Sequence, residues 1–422
     1  MEREYLNRII EKELDLALTL FGAVQIVGTK WCGKTWTAEK RSSSVIYLQD
    51  VRKYKQYQDA AKVAPDLLLE GDTPRLIDEW QTIPILWDGV RFEVDKRKKR
   101  GQFILTGSSI PSNDVVMHTG TGRIAKLLMR PMSLYESLES DGSVSLASVF
   151  ENEDIRGETS LGLKELAYVL VRGGWPESIG EKDPGALKYA RQYVTNIINS
   201  DVSKVDDIER DPERIRKLMQ SIARNVSMMV KKKTIMDDIT GNEMEDKISD
   251  KTFRSYLNAL EHLFVVENLP AWSPSIRSRI HLRTSPKYHF VDPSIAAVLL
   301  RVSPASLMND FNTFGLLFES LCIRDLRVYA QSIEGELFHY RDGDDLEVDA
   351  IIHLFDGRWG AVEIKMGVSE IDKAADNLKK LRDKVDRDEM GGPSFLMVIT
   401  AMGYAYRRDD GVYVVPITCL KD

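Results

Sequence analysis

Only three cysteines, Cys32, Cys322 and Cys419, occur in 422 residues. They are too few and too widely spaced for a disulfide framework or a thiolate metal cluster, so reduced thiols and a cytoplasmic location are expected. Long apolar runs are missing as well. The stretch near Ala296–Leu300 falls far short of the roughly 18 residues a membrane span needs, and no membrane contact is expected. The opening MEREYLNRII carries charge where a signal peptide has its apolar region, which argues against export. The six histidines show no H-x-x-x-H pairing, so none is expected to hold metal. There is no excess of positive charge. A net charge of −7 excludes a globally basic nucleic-acid coat and leaves only local patches. The chain is nonetheless built to fold, with 43% hydrophobic and 29% charged residues, and its length implies two to four domains.

No internal repeat or low-complexity tract interrupts it. Residues 22–27, 44–48, 75–78 and 102–106 are short apolar segments separated by longer helix-compatible stretches, the rhythm of a parallel sheet with crossover helices. Around Glu139–Ser160 the composition turns to Ser, Gly, Asp and Glu, as at a boundary. The pattern is mostly helical from 161 to 265, and strands return at Tyr288–Val291, Glu347–His353, Trp359–Lys365 and Phe395–Thr400. The expected organisation is an α/β domain over 1–140, a helical linker over 141–212, a second helical module over 213–285 and an α/β domain over 286–422.

The strongest local signal is GTKWCGKT, Gly28 to Thr35, which fits G-x-x-x-x-G-K-[ST]. Such a loop between a strand and a helix turns its amides toward phosphates. Gly28, Thr29, Lys30, Trp31, Cys32 and Gly33 form the cradle. Lys34 reaches the terminal phosphates and the Thr35 hydroxyl ligates magnesium, so ATP and Mg²⁺ are the expected cofactors. RLIDEW, Arg75 to Trp80, is a short apolar strand ending in two acids. After a phosphate loop, Asp78 is the magnesium carboxylate and Glu79 the group that orients the attacking water. In FILTGSS, Phe103 to Ser109, Thr106 or Ser108 is placed to meet the γ-phosphate or the water; plain turn chemistry is the alternative.

These segments, with GRIAKLLMRPMSLYE (Gly122–Glu136), RGGWPES (Arg172–Ser178), SDV (Ser200–Val202) and TFRSYLNALEHLFVVENLPAW (Thr252–Trp272), resemble a prokaryotic family of AAA-type P-loop ATPases. The resemblance implies a sheet in which the FILTGSS strand lies between the Walker A and Walker B strands. It implies that Arg123 is a phosphate-sensing arginine, with a plain surface arginine as the alternative. It also implies assembly into oligomers wherever such an arginine acts across an interface. Trp31 and Cys32 depart from the smaller residues usual in the family's loop, and an exposed Cys32 would be oxidisable.

Residues 213–270 read as a winged helix. Ser249 is a good N-cap, and Phe253, Tyr256, Leu257, Leu260 and Leu263 follow at helical spacing, with FVVENL where a wing would sit. Lys231 to Lys233, Lys247, Lys251 and Arg254 could face DNA phosphates. A protein-packing module is the alternative, since Asp250 and Glu261 weaken the basic face.

The last acids form a separate constellation. Asp356-Gly357 marks a hairpin that brings Asp349 on one strand toward Glu363 and Lys365 on the next, with Glu319 on a helix upstream. Oxygen ligands of this kind suit Mg²⁺ or Mn²⁺, and the lysine would stabilise phosphoryl charge. The pattern resembles the PD-(D/E)xK nuclease superfamily. The resemblance makes Asp349, Glu363 and Glu319 the metal ligands and Lys365 the catalytic lysine, although Val348 stands where the superfamily's proline is usual. The expected fold is therefore α/β: a parallel-sheet P-loop ATPase domain, a winged-helix middle and a PD-(D/E)xK-like α/β domain. The expected function is ATP hydrolysis gating nucleic-acid processing, with a switch whose last domain only docks as the alternative.

Overall fold

The computed structural model describes residues 4–108, 119–159, 161–181, 184–204, 208–240, 248–274, 285–385 and 390–422. Ser109, His118, Lys247 and His281 lie outside them. Among the described residues no helix is long and apolar enough to cross a membrane. The chain forms two compact units, the first made of Met1–Pro131, Ser200–Glu209 and Asn258–Val265.

The first unit alternates strands and helices: α1 (Ile10–Leu20), β1 (Ala23–Val27), α2 (Lys34–Glu39), β2 (Ser44–Tyr47), α3 (Tyr54–Val63), β3 (Arg75–Asp78), α4 (Ile85–Arg97), β4 (Phe103–Gly107) and β5 (Ile124–Leu128). All five strands run parallel in the order β2-β3-β4-β1-β5. Helices cover both faces, so β1 and β4 are buried at every position and are apolar apart from Gln25 and Thr106. Val24, Ile26, Leu76 and Ile104 pack with Leu14 on one face; Ile77, Phe103 and Leu105 pack with Leu86 and Val90 on the other. Each such side chain contributes roughly 1.5–3 kcal/mol on leaving water. Strand β4 does lie between β1 and β3. That inserted strand carries Thr106 to the sheet edge where the loop after β1 and the acids after β3 emerge.

The second unit comprises Met132–Asn199, Arg210–Leu257 and Val266–Asp422. Its strands are β6 (Val144–Ser145), β7 (Gly157–Glu158), β8 (Val266–Leu269), β9 (Lys287–Phe290), β10 (Gly335–Arg341), β11 (Glu347–Leu354), β12 (Trp359–Lys365), β13 (Phe395–Thr400), β14 (Tyr404–Arg407), β15 (Tyr413–Pro416) and β16 (Leu420–Lys421). Seven form a mixed sheet, β10-β11-β12-β13-β15-β14-β7. The β11–β12 hairpin turns at Gly357, whose φ of +90° suits glycine. Helix Ile371–Lys384 then makes the crossover to β13, which runs parallel to β12.

The expected linker over 141–212 is not a linker throughout. β7 pairs with β14 at the sheet edge and β6 pairs with β16, while Phe150 meets Phe395 edge to face at 4.9 Å. Strands of two residues are too short to show a period of two, which is why the polar composition hid them.

Helix Asp250–His262 buries Phe253, Tyr256, Leu257 and Leu260, and Ser249 Oγ accepts the Thr252 N–H at 3.1 Å. β8 and β9 form an antiparallel ribbon after it. Lys232 pairs with Asp250, so one of the expected phosphate-facing lysines is engaged within the protein.

RGGWPES serves packing. A side chain on Gly174 would lie 2.1 Å from the Met132 carbonyl oxygen, and Gly173 has φ +80°. The Gly174 N–H donates to Asp292 Oδ2 at 2.9 Å, and the same oxygen accepts from Arg324 Nη1 at 2.9 Å. Arg324 also binds Asp325 Oδ1 at 2.7 Å, and Asp325 Oδ2 accepts the Leu134 N–H at 3.0 Å. A fully buried ion triad thus ties three distant segments together.

Candidate functional site

The phosphate loop leaves β1 at Val27, whose carbonyl accepts the Met129 N–H at 2.8 Å. This brings β5's exit so close that a Cβ on Gly28 would lie 2.0 Å from the Met129 oxygen. Gly33, at φ +99°, opens α2. Lys34 is buried, and its Nζ donates to the Gly28 and Thr29 carbonyls at 2.9 and 2.8 Å, holding the ammonium inside the loop. Lys30 pairs with Asp201 at 2.6 Å, which gives the SDV segment a partner in the loop. Trp31 takes a left-handed φ of +65° and exposes its ring. Cys32, by contrast, is fully buried with Sγ 3.5 Å from the Met129 oxygen, and its own carbonyl accepts from Arg8 at 2.7 Å. The condition for oxidation, an exposed Cys32, is therefore not met.

Asp78 Oδ1 accepts from Thr35 Oγ1 and from Thr106 Oγ1, both at 2.7 Å. A hydroxyl and a carboxylate at this spacing are hard oxygen donors, and they fit the magnesium ion that accompanies ATP. Thr106 Oγ1 in turn accepts the Glu79 N–H at 3.1 Å. Glu79 adopts φ +53° and ψ +52°, which swings its side chain out of line with Asp78. Ser108 Oγ then lies 3.0 and 2.9 Å from the two Glu79 carboxylate oxygens, and Gln81 Nε2 donates to one of them. Ser108, expected with Thr106 to meet the γ-phosphate or the water, donates here to the Glu79 carboxylate. Gln81 closes the IDEWQ stretch (Ile77–Gln81) that belongs to the resemblance, which assigns it no role.

Arg123 needs a larger correction. Its carbonyl accepts the Ala23 N–H at 3.1 Å, at the N-terminal end of β1, whereas the loop departs from the C-terminal end. Its guanidinium pairs with Asp95 at 3.0 Å. Within its own chain Arg123 therefore lies at the amino-terminal end of the strands, opposite the end from which the loop departs, which favours the plain surface arginine.

The C-terminal acids come together as expected, but with a cation absent from the sequence reading. Asp349 Oδ2 accepts the Ile364 N–H at 2.8 Å and Lys365 Nζ at 3.0 Å. Lys365 also reaches Glu363 Oε2 at 2.6 Å, and Asn377 Nδ2 donates to Glu363 Oε1 at 2.9 Å. Glu319 is bonded by Lys287 on β9, which also binds Glu347. Burial, followed by the Asp349 charge, pushes Glu319 up to about 8 and Glu363 up to about 7. Burial opposes ionisation of Asp349 too, but Lys365 and Lys287 hold it below the usual carboxylate range. Among the described residues no group of three His, Cys, Asp or Glu side chains is arranged to hold a metal ion. The expectation of Mg²⁺ or Mn²⁺ on Glu319, Asp349 and Glu363 is corrected accordingly: lysine ammonium groups occupy these carboxylates.

His289 and His339 flank this cluster and are buried. Burial and then neighbouring cations lower both, His339 to about 4 with Lys287 its main cationic neighbour. Their folded pKa values lie below the unfolded value, so the stability they confer is present above about pH 6.5 and lost as pH falls toward 4. Urea unfolding across pH 7 to 4 should show this fall, and His339→Gln should flatten it. An unchanged slope in that variant would remove His339 from the account.

Residues 21–138 match the family described as AAA domain, 163–306 a domain of unknown function (DUF8612) and 314–420 another (DUF4143). The uncharacterized proteins Rv2008c of Mycobacterium tuberculosis and Mb2031c of Mycobacterium bovis are each 24% identical over 314 residues. That match covers 73% of this chain and 62% of theirs, so the chain spans about three fifths of those relatives. Among solved structures, the Walker-type ATPase PABY2304 of Pyrococcus abyssi aligns at 15% identity and a TM-score of 0.42, covering 69% of this chain and 94% of its own. The STAND protein PH0952 of Pyrococcus horikoshii, with a tetratricopeptide repeat sensor, aligns at 15% identity and a TM-score of 0.25, over 78% of this chain and 49% of its own. With the phosphate loop, the acid pair at the end of β3 and the five parallel strands, the AAA domain match over residues 21–138 makes this part of the chain a P-loop ATPase-like domain.

Proposed function

We propose that this chain is an ATP-hydrolysing switch. The observation that carries the proposal is the junction of Thr35, Asp78 and Thr106 on one oxygen, with Lys34 held in the adjoining loop. Gly28 to Gly33 would cradle the phosphates, Lys34 would neutralise the terminal ones, and Thr35 and Asp78 would hold magnesium, which supplies charge neutralisation on the transferring phosphoryl group. Glu79 would orient the attacking water, with Ser108 and Gln81 fixing its carboxylate in the resting state. The exposed Lys231, Lys233, Lys251 and Arg254 suit DNA phosphates and make the winged-helix segment the expected nucleic-acid contact.

For the C-terminal unit, the pairing of Glu319, Asp349 and Glu363 with lysines favours a PD-(D/E)xK-like docking module over a cleaving one. Two measurements test the whole. Glu79→Gln should bind ATP as the parent does while turnover falls about a hundredfold or more, the usual contribution of a positioned base. Parent-rate hydrolysis would remove Glu79 from that role. A panel of DNA and RNA substrates with Mg²⁺ or Mn²⁺, with and without ATP, should remain uncut. Cleavage abolished by Asp349→Ala would restore the nuclease reading.

A further inference from the structure

Lys287 is among the largest fully buried side chains of the protein, with its side chain 1% exposed. A buried ammonium is costly unless carboxylates surround it. Its Nζ lies 2.9 Å from Glu347 Oε1 and 3.2 Å from Glu319 Oε1. Burial alone would drive the proton off; the charges of Glu319, Asp349 and Glu347 reverse that and hold the ammonium form. Asp349 is also the first charged neighbour to act on Glu319. Three carboxylates from helix Phe311–Ser332 and strand β11 therefore gather around one ammonium delivered by β9. A divalent ion bridging Glu319 and Asp349 would have to share Glu319 with an ammonium that has no water to retreat into.

We infer that Lys287 is a tethered cation standing between Glu319 and Glu347, beside Asp349, in the place of a divalent metal, so that the C-terminal unit assembles its acids without metal and exposes a cation site only when Lys287 is replaced. This builds on the docking reading given above for the C-terminal unit and is independent of ATP hydrolysis.

The probe is Mn²⁺ alone, added to the nucleotide-free full chain and followed by the loss of its free-ion paramagnetic resonance signal. Lys287→Gln removes the charge while keeping a hydrogen-bonding side chain of similar length. It should gain one Mn²⁺ site per chain, at least tenfold tighter than any Asp349-dependent site of the parent, and that site should vanish when Asp349→Asn is added. Lys287→Arg keeps the charge and should gain nothing. Mn²⁺ should also raise the unfolding temperature of Lys287→Gln but not of the parent. A folded Lys287→Gln without a new site would overturn the inference. So would a parent that already holds one Mn²⁺ per chain in a site abolished by Asp349→Asn, a measurement that stands even if Lys287→Gln fails to fold. Nucleic-acid cleavage by the parent sinks the docking reading instead, so the two failures are told apart.

Discussion

Lys34→Ala is expected to weaken ATP binding by about a hundredfold or more while leaving the first unit folded. The loss follows from removing the one ammonium that the loop holds in its interior, within reach of the carbonyls of Gly28 and Thr29. Truncating one partner of a desolvated charge pair costs about 2–5 kcal/mol, and each 1.4 kcal/mol is about a factor of ten in affinity. The fold should survive because Lys34 belongs to neither apolar cluster of the sheet. What disappears in the unliganded protein is a pair of hydrogen bonds to loop carbonyls, each worth about 1 kcal/mol. Gly28, pinned against Met129, and Arg8, bonded to the Cys32 and Arg130 carbonyls, keep the loop's path. Titration calorimetry with ATP and Mg²⁺ gives the affinity, and a thermal melt of the same sample checks the fold. Unchanged affinity in a folded variant would end the phosphate-loop assignment.

Arg324→Met should destabilise the second unit by about 3–5 kcal/mol, the cost of leaving buried charge without its partner. Asp292 and Asp325 have no exposed surface, and Arg324 binds both. Around them the Gly174 and Leu134 amides and Trp175 through Ser294 depend on the same geometry. The pH dependence has a definite sign. Burial already raises Asp325 above the usual carboxylate range, and without the Arg324 charge, which lowers it, Asp325 would rise further. A carboxyl whose folded pKa exceeds its unfolded value stabilises the fold when protonated and loses that contribution as pH rises. The deficit of Arg324→Met should therefore be largest above neutrality and shrink on acidification toward pH 4. Urea unfolding of parent and variant at pH 8 and pH 5 measures it, and an equal deficit at both would show that lost packing, not stranded charge, is the cause.

The phosphate loop and the acid pair at Asp78 and Glu79 were legible in the amino-acid order because their chemistry needs neighbouring residues. A strand must hand directly to a glycine turn and a helix, and a second strand must end in carboxylates. The buried stripe of helix Asp250–His262 was legible for a similar reason, since the helical period places Phe253, Tyr256, Leu257 and Leu260 on one face. The hairpin joining Asp349 to Glu363 followed from Asp356-Gly357 and the period of two.

Partners contributed by other elements were not legible. Ser108 looked ready for phosphate, but the left-handed turn at Glu79 brings the carboxylate to it first. Arg123 looked like a sensor, but parallel pairing of β5 with β1 fixes it at the end of the strands opposite the loop. Cys32 sits in an exposed-looking loop, yet β5 closes over it at Met129. Lys287 lies 32 residues before Glu319, in a strand whose sequence shows no sign of a counter-ion. Local order determined which groups this protein has for phosphate and acid chemistry. Only the packing of β9 against the helix and strands that carry the acids decided that a lysine, rather than solvent or an ion, stands among them, because burying those carboxylates requires a cation at a place no local pattern can specify.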